Sequence, residues 1–294
     1  METLAAGFTP MTDKPKPPTV TRFAPSPTGL LHLGHAFSAL YAEASAKKDK
    51  GRFLLRIEDI DGGRCRPEFE DALLEDLAWL GLKWEEPVRR QSDHMADYEA
   101  ALRKLIGFKL LYPCFCTRKD IQAEIEQIGH APHGPDGPVY PGTCRHLDDV
   151  ERGRKMEEGI PFALRLDVEK ALKETGPLHW TDRKRGRIEA TPQEFGDVVL
   201  ARKDTPTSYH LSVTLDDDLQ DISLVTRGQD LFEATHIHRL LQELLGLKVP
   251  DYDHHPLLTG EDGKRYAKRD KSKTLEALRQ SGHSPQDVRK MAGF

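Results

Sequence analysis

Between Arg22 and His35 the chain reads Arg-Phe-Ala-Pro-Ser-Pro-Thr-Gly-Leu-Leu-His-Leu-Gly-His, residue types suited to holding a phosphorylated ligand. The β-branched run Thr19-Val20-Thr21 predicts a strand, and the prolines after it bar a helix. Gly29 and Gly34 let backbone lie close to a ligand, and alanine-rich sequence from Ala36 predicts a helix. A helix N-terminus presents unbonded N–H groups and a partial positive charge, and His32 and His35 would add donors to the same anionic oxygens. A lone histidine is more often structural than catalytic; two of them around a glycine at a helix start favour a ligand.

A second constellation is Cys114-Phe-Cys116 followed by Tyr140-Pro-Gly-Thr-Cys144, so that three of the four cysteines fall within about thirty residues. In a reducing compartment that grouping points to metal more than to disulfides. Thiolates suit zinc, and a closed four-ligand site would be structural. On chemistry alone the fourth ligand is His146 or His133. Cys65 reads as a free thiol. A third feature is the basic run Lys264 to Lys273, with Arg183-Lys184-Arg185 as a smaller cluster; alone, either reads as a solvated loop.

These groups need elements to hold them. The 294-residue chain can bury a full core, as one large domain or two modest ones. With 31% charged residues and a net charge of −5, bulk charge does not announce a nucleic-acid partner. No apolar run approaches the roughly 20 residues that span a bilayer, and the start, with Glu2, lacks signal-peptide order, so a cytoplasmic protein without a membrane partner is expected. Residues 1–18 read as a loose tail. Residues 52–58 predict a strand, and Phe69, Leu73, Leu77 and Leu80 have helical spacing. This βαβ order over 19–111 predicts an α/β core with a parallel sheet, ligands lying beyond the carboxyl ends of its strands, where Arg22 to Gly34 and Glu58 to Asp61 fall. Residues 112–190 change character and read as an insertion. Regular texture resumes over 191–294 with Val198–Ala201, Tyr209–Leu215, Ile222–Thr226 and a helix over Ala234–Leu245. Asp59 and Asp61 read as strand-end or acceptor-binding residues, with local capping equally plausible.

In order and spacing, Arg22-Phe-Ala-Pro-Ser-Pro-Thr-Gly, Leu-His32-Leu-Gly34, Arg56-Ile-Glu58-Asp59-Ile-Asp61, Tyr209-His-Leu and Val225-Thr-Arg227-Gly-Gln-Asp230-Leu resemble the catalytic domain of the class I glutamyl-tRNA synthetases. The resemblance runs from about residue 19 to about 273 and is far more specific than a lone glycine-rich loop. It implies a Rossmann-type catalytic domain with an inserted zinc-containing subdomain, and ATP with Mg2+ as a substrate. It places Arg22, Ala24, Ser26, Tyr209 and Arg227 around a bound glutamate, with Glu58 facing the ammonium. It assigns His32, Gly34, His35 and Lys268 to ATP, with His32, His35 and Lys268 as the catalytic set, and it supplies Tyr140 as the fourth ligand beside Cys114, Cys116 and Cys144. Arg22 and Arg227 should then lie at the ends of two adjacent strands.

The chain departs from the family at the second signature, Gly263-Lys-Arg-Tyr-Ala267-Lys268-Arg269, where Ala267 fills the usual serine slot. A competing register puts Lys271-Ser272-Lys273 there. The chain also stops about twenty residues later, without the helical domain that reads an anticodon. That pattern is similar to the branch of the family that attaches glutamate to the queuosine base in the anticodon of tRNA(Asp), as a monomer. Two alternatives stay open: a minimal synthetase charging a tRNA acceptor end, and a non-catalytic paralogue that binds amino acid or RNA.

Overall fold

The computed structural model describes residues 18–128, 133–135, 137–258 and 274–294. The expectation of a loose tail falls, up to residue 17, outside the described residues. Strand Val20–Phe23 pairs in parallel with Arg52–Ile57, which pairs in parallel with Glu85–Arg90. Leu224–Gly228 pairs in parallel with Asp251–His255, and an antiparallel hairpin, His179–Asp182 with Gly186–Glu189, extends that sheet through Asp182 beside Tyr252. Ser223 joins the two sets: its N–H donates to Val20 O at 3.0 Å, and its Oγ accepts from Val20 N at 2.9 Å. The strand order reverses between Val20–Phe23 and Leu224–Gly228, the switch point at which ligands enter parallel sheets of this kind.

Helix Leu33–Lys48 covers one face through Ala36, Ala39, Ala42 and Ala46, all buried, and small side chains let it approach the sheet closely. Pro67–Trp79 adds Leu73 and Leu77 to the same core. The other core gathers Leu211, Val225, Ile237, Leu240 and Leu241 around Trp180 and Tyr98. Residues 209–215 belong to a helix, Tyr209–Leu219, which begins after Ser208 with its Oγ accepting from Leu211 N.

A separate antiparallel sheet consists of Leu111–Cys114, Ala163–Leu166 and Val199–Ala201. Strand pairing therefore crosses residue 190 in both directions, since Val199–Ala201 joins the antiparallel sheet and the hairpin at 179–189 joins the parallel one. Local composition sets that these segments are extended, not which neighbour they pair with. Beside this sheet lies a small core of Tyr112, Cys114, Phe115, Tyr140 and Cys144. No helix among the described residues is long and apolar enough to cross a membrane.

Candidate active site

A cavity of about 550 Å³ opens at the switch point, lined among others by Arg22, Ala24, His32, Gly34, His35, Glu58, Tyr209 and Arg227. Eight of the nine described residues expected at the site thus converge; Ser26 is exposed and does not line it. Lys268, Ala267 and the competing Lys271-Ser272-Lys273 lie outside the described residues. The flanks of that segment are placed: Leu258 lines the cavity, and Thr274 bridges to His32, with Leu275 N donating to Leu31 O at 2.8 Å.

His32 is the N-cap of helix Leu33–Lys48. Its Nδ1 accepts from Gly34 N at 3.1 Å, while His35 Nδ1 accepts from His32 N at 3.1 Å, a capping box made by two imidazoles. The rings stack with centroids 3.8 Å apart. With both Nδ1 atoms accepting, each neutral ring carries its proton on Nε2, as a donor. A Cβ on Gly34 would sit 3.1 Å from His32 Cε1, so the glycine makes room for the ring.

The floor is a network of buried charge. Arg22 Nε and Nη2 donate to the two Asp217 oxygens at 2.8 and 3.3 Å, and Nη1 donates to Thr226 O at 3.1 Å. That last bond crosses to the neighbouring strand, so the two arginine-bearing strands do lie side by side. Arg56, fully buried, reaches Asp217 at 2.8 Å and Glu58 at 3.0 Å. Burial works to raise the pKa of Asp217, but Arg22 and Arg56 outweigh it and hold the carboxyl below its ordinary range. At Glu58 burial wins: its pKa is raised, with Arg56 and Arg22 only limiting the rise.

Arg227 sits in different surroundings. Its Nε donates to His254 Nε2 at 3.1 Å, Nη1 meets His238 Nδ1 at 3.2 Å, and Nη2 donates to Thr235 Oγ1 at 2.6 Å. Every one of these partners is neutral when the histidines are. Burial, then the nearby Arg227, lowers His238 well below its ordinary range and His254 to about 4. No carboxylate among the described residues pairs with Arg227. Tyr209, which also lines the cavity, is half-buried, with its ring against His210 and His238.

Sequence reading gave no role to Asp217, Arg56, His238, Thr235 or His254. Signals for some were present: Arg56 is a charge inside the apolar strand Arg52–Ile57, and Asp216-Asp217 interrupt the apolar face of Tyr209–Leu219. Asp59 bonds to a residue distant in sequence, whereas the hydrogen bond of Asp61 is local. Asp59 accepts from Ser92 N at 2.8 Å, and Asp61 accepts from Arg64 Nε at 2.7 Å. Cys65 is a free, half-buried thiol.

The cysteine constellation closes on itself in the small core. The Sγ atoms of Cys114, Cys116 and Cys144 lie within 4.8 Å of one another. Tyr140 Oη lies 3.4 Å from Cys114 Sγ and 3.5 Å from Cys116 Sγ, and accepts from Cys144 N at 2.9 Å. A tetrahedral zinc with Zn–S of about 2.3 Å has ligand–ligand edges of about 3.7 Å, so this donor set fits the ion. His146 is exposed and outside the cluster, and the side chain of His133 lies outside the described residues; the nearest oxygen donor to the thiols is a phenol.

Residues 18–292 match the family described as tRNA synthetases class I (E and Q), catalytic domain. A glutamyl-Q tRNA(Asp) synthetase from Rhodobacter capsulatus is 51% identical over 284 residues, covering 94% of this chain and 100% of that protein. A glutamate–tRNA ligase from Aquifex aeolicus is 38% identical over 268 residues, but this chain spans only 54% of it. A crystal structure of a glutamate tRNA ligase from Elizabethkingia meningosepticum in complex with its amino acid aligns with a TM-score of 0.71 at 28% identity, over 90% of this chain and 53% of that one. With a switch-point cavity on a parallel sheet and a match over almost its whole length, the chain belongs to the class I tRNA synthetases of the glutamate and glutamine group.

Proposed function

We propose that this ligase activates L-glutamate with ATP to glutamyl-adenylate and transfers the glutamyl group to the queuosine base of tRNA(Asp). The observation that carries the glutamate reading is the contrast within one cavity: Arg227 is a cation held only by neutral groups, and Glu58 is a nearly buried acid lining the same cavity. A buried cation without a counter-charge is costly unless a ligand supplies one. Three of the five guanidinium N–H groups of Arg227 are used, one on each nitrogen. One N–H remains on each terminal nitrogen, the fork that a carboxylate accepts. Glu58 would take the substrate ammonium, leaving the α-carboxylate to act.

In the reaction a glutamate carboxylate oxygen attacks the α-phosphorus of ATP and pyrophosphate leaves. No protein nucleophile is needed, so the residues contribute position and charge. The Nε2–H groups of His32 and His35 are oriented by the capping box before ATP arrives, and the helix N-terminus adds its partial charge. Lys268 is the proposed phosphate lysine. The RNA nucleophile then attacks the glutamyl carbonyl and AMP leaves. Cys114, Cys116, Cys144 and Tyr140 would hold a structural zinc, which would pin the insertion at 112–190 without touching the substrate cavity.

The choice of RNA follows the Rhodobacter relative, which this chain matches from end to end of that protein. The test is ATP-dependent attachment of labelled glutamate to three RNAs: tRNA(Asp) with queuosine, tRNA(Asp) without it, and tRNA(Glu). Label on the first alone is expected. Label on tRNA(Glu) would replace this reading with a shortened conventional synthetase, and absence of glutamate-dependent pyrophosphate exchange would leave only a binding role.

A further inference from the structure

Behind Arg227 lies a chain of hydrogen bonds that the reaction does not itself require. His254 Nδ1 lies 2.8 Å from Asp182 Oδ2, and its Nε2 accepts from Arg227 Nε at 3.1 Å. The side chain of His254 is fully buried and that of Asp182 is 1% exposed, so neither contact is shared with bulk solvent. Asp182 belongs to the hairpin at the far edge of the parallel sheet, and His254 lies on strand Asp251–His255, between that hairpin and the strand of Arg227.

We propose that Asp182 and His254 are positioning residues which fix the Arg227 guanidinium to receive the side-chain carboxylate of the substrate. The proposal rests on the glutamate reading above. An ionised carboxylate only accepts, so Asp182 draws the imidazole proton to Nδ1 and leaves Nε2 as a lone pair facing a guanidinium that only donates. With the proton on the other nitrogen, two donors would face each other and Arg227 would lose its fixed plane. His238 is set in the same sense: its Nδ1 takes the Arg227 contact and its Nε2 meets His210 Nδ1 at 3.2 Å. The chemistry explains why histidines serve here and acids do not. A carboxylate touching Arg227 would orient it equally well but would cancel the charge that selects a second carboxylate. Asp182 sets the orientation from one residue further back, leaving the charge for the ligand.

Asp182 also accepts at Oδ1 from the N–H groups of Lys184 and Arg185, at 2.9 and 3.0 Å, shaping the hairpin turn. Asp182→Asn keeps an oxygen for that turn and presents an amide donor to His254, which forces the imidazole proton to Nε2. His254→Gln places an oxygen near the former Nε2 and needs no tautomer control. Two readouts apply. Nitrogen chemical shifts of His254 in the ligand-free protein should report a proton on Nδ1 in the wild type and on Nε2 in Asp182→Asn. In pyrophosphate exchange, Asp182→Asn should raise the KM for glutamate by about ten- to a hundredfold, the range for a hydrogen bond to a charged group, with the KM for ATP unchanged. His254→Gln should stay near wild type, His254→Leu should resemble Asp182→Asn, and Asp182→Asn should cost nothing further once His254 is Gln.

An unchanged glutamate KM in Asp182→Asn would overturn the proposal. So would a penalty that persists in the double variant, because Asp182 would then act through the hairpin turn. Should Asp182→Asn fail to fold, equal KM values for His254→Gln and His254→Leu would overturn it instead. A wild type without glutamate-dependent exchange would sink the functional reading, and with it the substrate half of this one; the shifts would still decide whether Asp182 sets His254.

Discussion

At the scale of the residue, two arginines in one cavity stand in opposite electrostatic positions. Arg22 is paired to Asp217, which Arg56 shares, whereas Arg227 is surrounded by neutral acceptors. Removing Asp217 strands the buried Arg22 guanidinium and takes one of three carboxylates from Arg56, so Asp217→Ala should cost about 3–5 kcal/mol, read from urea midpoints. Arg227→Ala should cost far less stability but raise the glutamate requirement steeply; an unchanged saturation curve would remove Arg227 from the pocket. Glu58 has its pKa raised, first by burial. An incoming ammonium needs the ionised form, so glutamate affinity should fall as pH drops through that raised value, earlier than for an exposed glutamate. Glu58→Gln should bind more weakly throughout and lack that acidic limb in a KM-versus-pH profile. The sequence pointed to Arg22, Glu58 and Arg227 through the family motifs that contain them, which are contiguous stretches visible in one dimension. It did not point to Asp217 or His254, whose roles come from partners 195 and 27 residues away.

Among the elements, the turn after helix Leu33–Lys48 is the tightest fit of the site's scaffold. A Cβ on Gly51 would lie 1.8 Å from Thr19 O, a backbone atom in the approach to the arginine-bearing strand. Gly51→Ala must push the two segments apart, and thermal unfolding should show a loss at or above the upper end of the roughly 1–3 kcal/mol of ordinary overpacking. Helix Pro67–Trp79 carries a different tension. Asp76 is fully buried, and neither carboxylate oxygen has a hydrogen-bond partner among the described residues; its charge neighbour is Arg279, 3.7 Å away on the helix that follows Thr274. Burial pushes its pKa from 3.8 up to about 6, against the pull of Arg279. A raised acid binds its proton more tightly when folded, so its contribution is present below pH 3.8 and lost as pH rises through about 6. The stability of the wild type relative to Asp76→Asn should therefore grow as pH is lowered from 7 to about 4, and a difference flat with pH would contradict this. Helices such as Ala234–Leu245 were legible from apolar spacing, as were the strands Val20–Phe23 and Arg52–Ile57. Pairing was not, because Val199–Ala201 has the composition of a strand for either sheet.

For the whole molecule, the parallel sheet and residues 111–201 contribute unequally to the cavity. The cavity is lined by residues from 22–58 and 209–258, none from 111–201. Leu110, Leu166, Leu200 and Ala201 nevertheless belong to the main core, so the antiparallel sheet is anchored through residues on or beside all three of its strands, while the cysteines and Tyr140 sit in a small core of their own. Four polar side chains and a few aromatic ones are a slight basis for order; the proposed structural zinc, worth roughly 10 to 16 kcal/mol in small peptides, would change that balance. The order of the motifs along the chain told that a metal-type cluster lay between two halves of a ligand site. Residue types alone could not tell which side chain joins the cysteines, since a phenol directly before Pro141-Gly142 gives no ligand signal of its own; the family resemblance supplied Tyr140. Chelation, or Cys116→Ser, should thus release about one zinc per chain and raise hydrogen exchange over residues 112–147. Strands Val20–Phe23 and Leu224–Gly228 should stay protected, and glutamate-dependent pyrophosphate exchange should persist while transfer to RNA declines. Loss of protection in Leu224–Gly228 as well would mean that the metal supports the sheet itself, because the switch point would then depend on a cluster it does not touch.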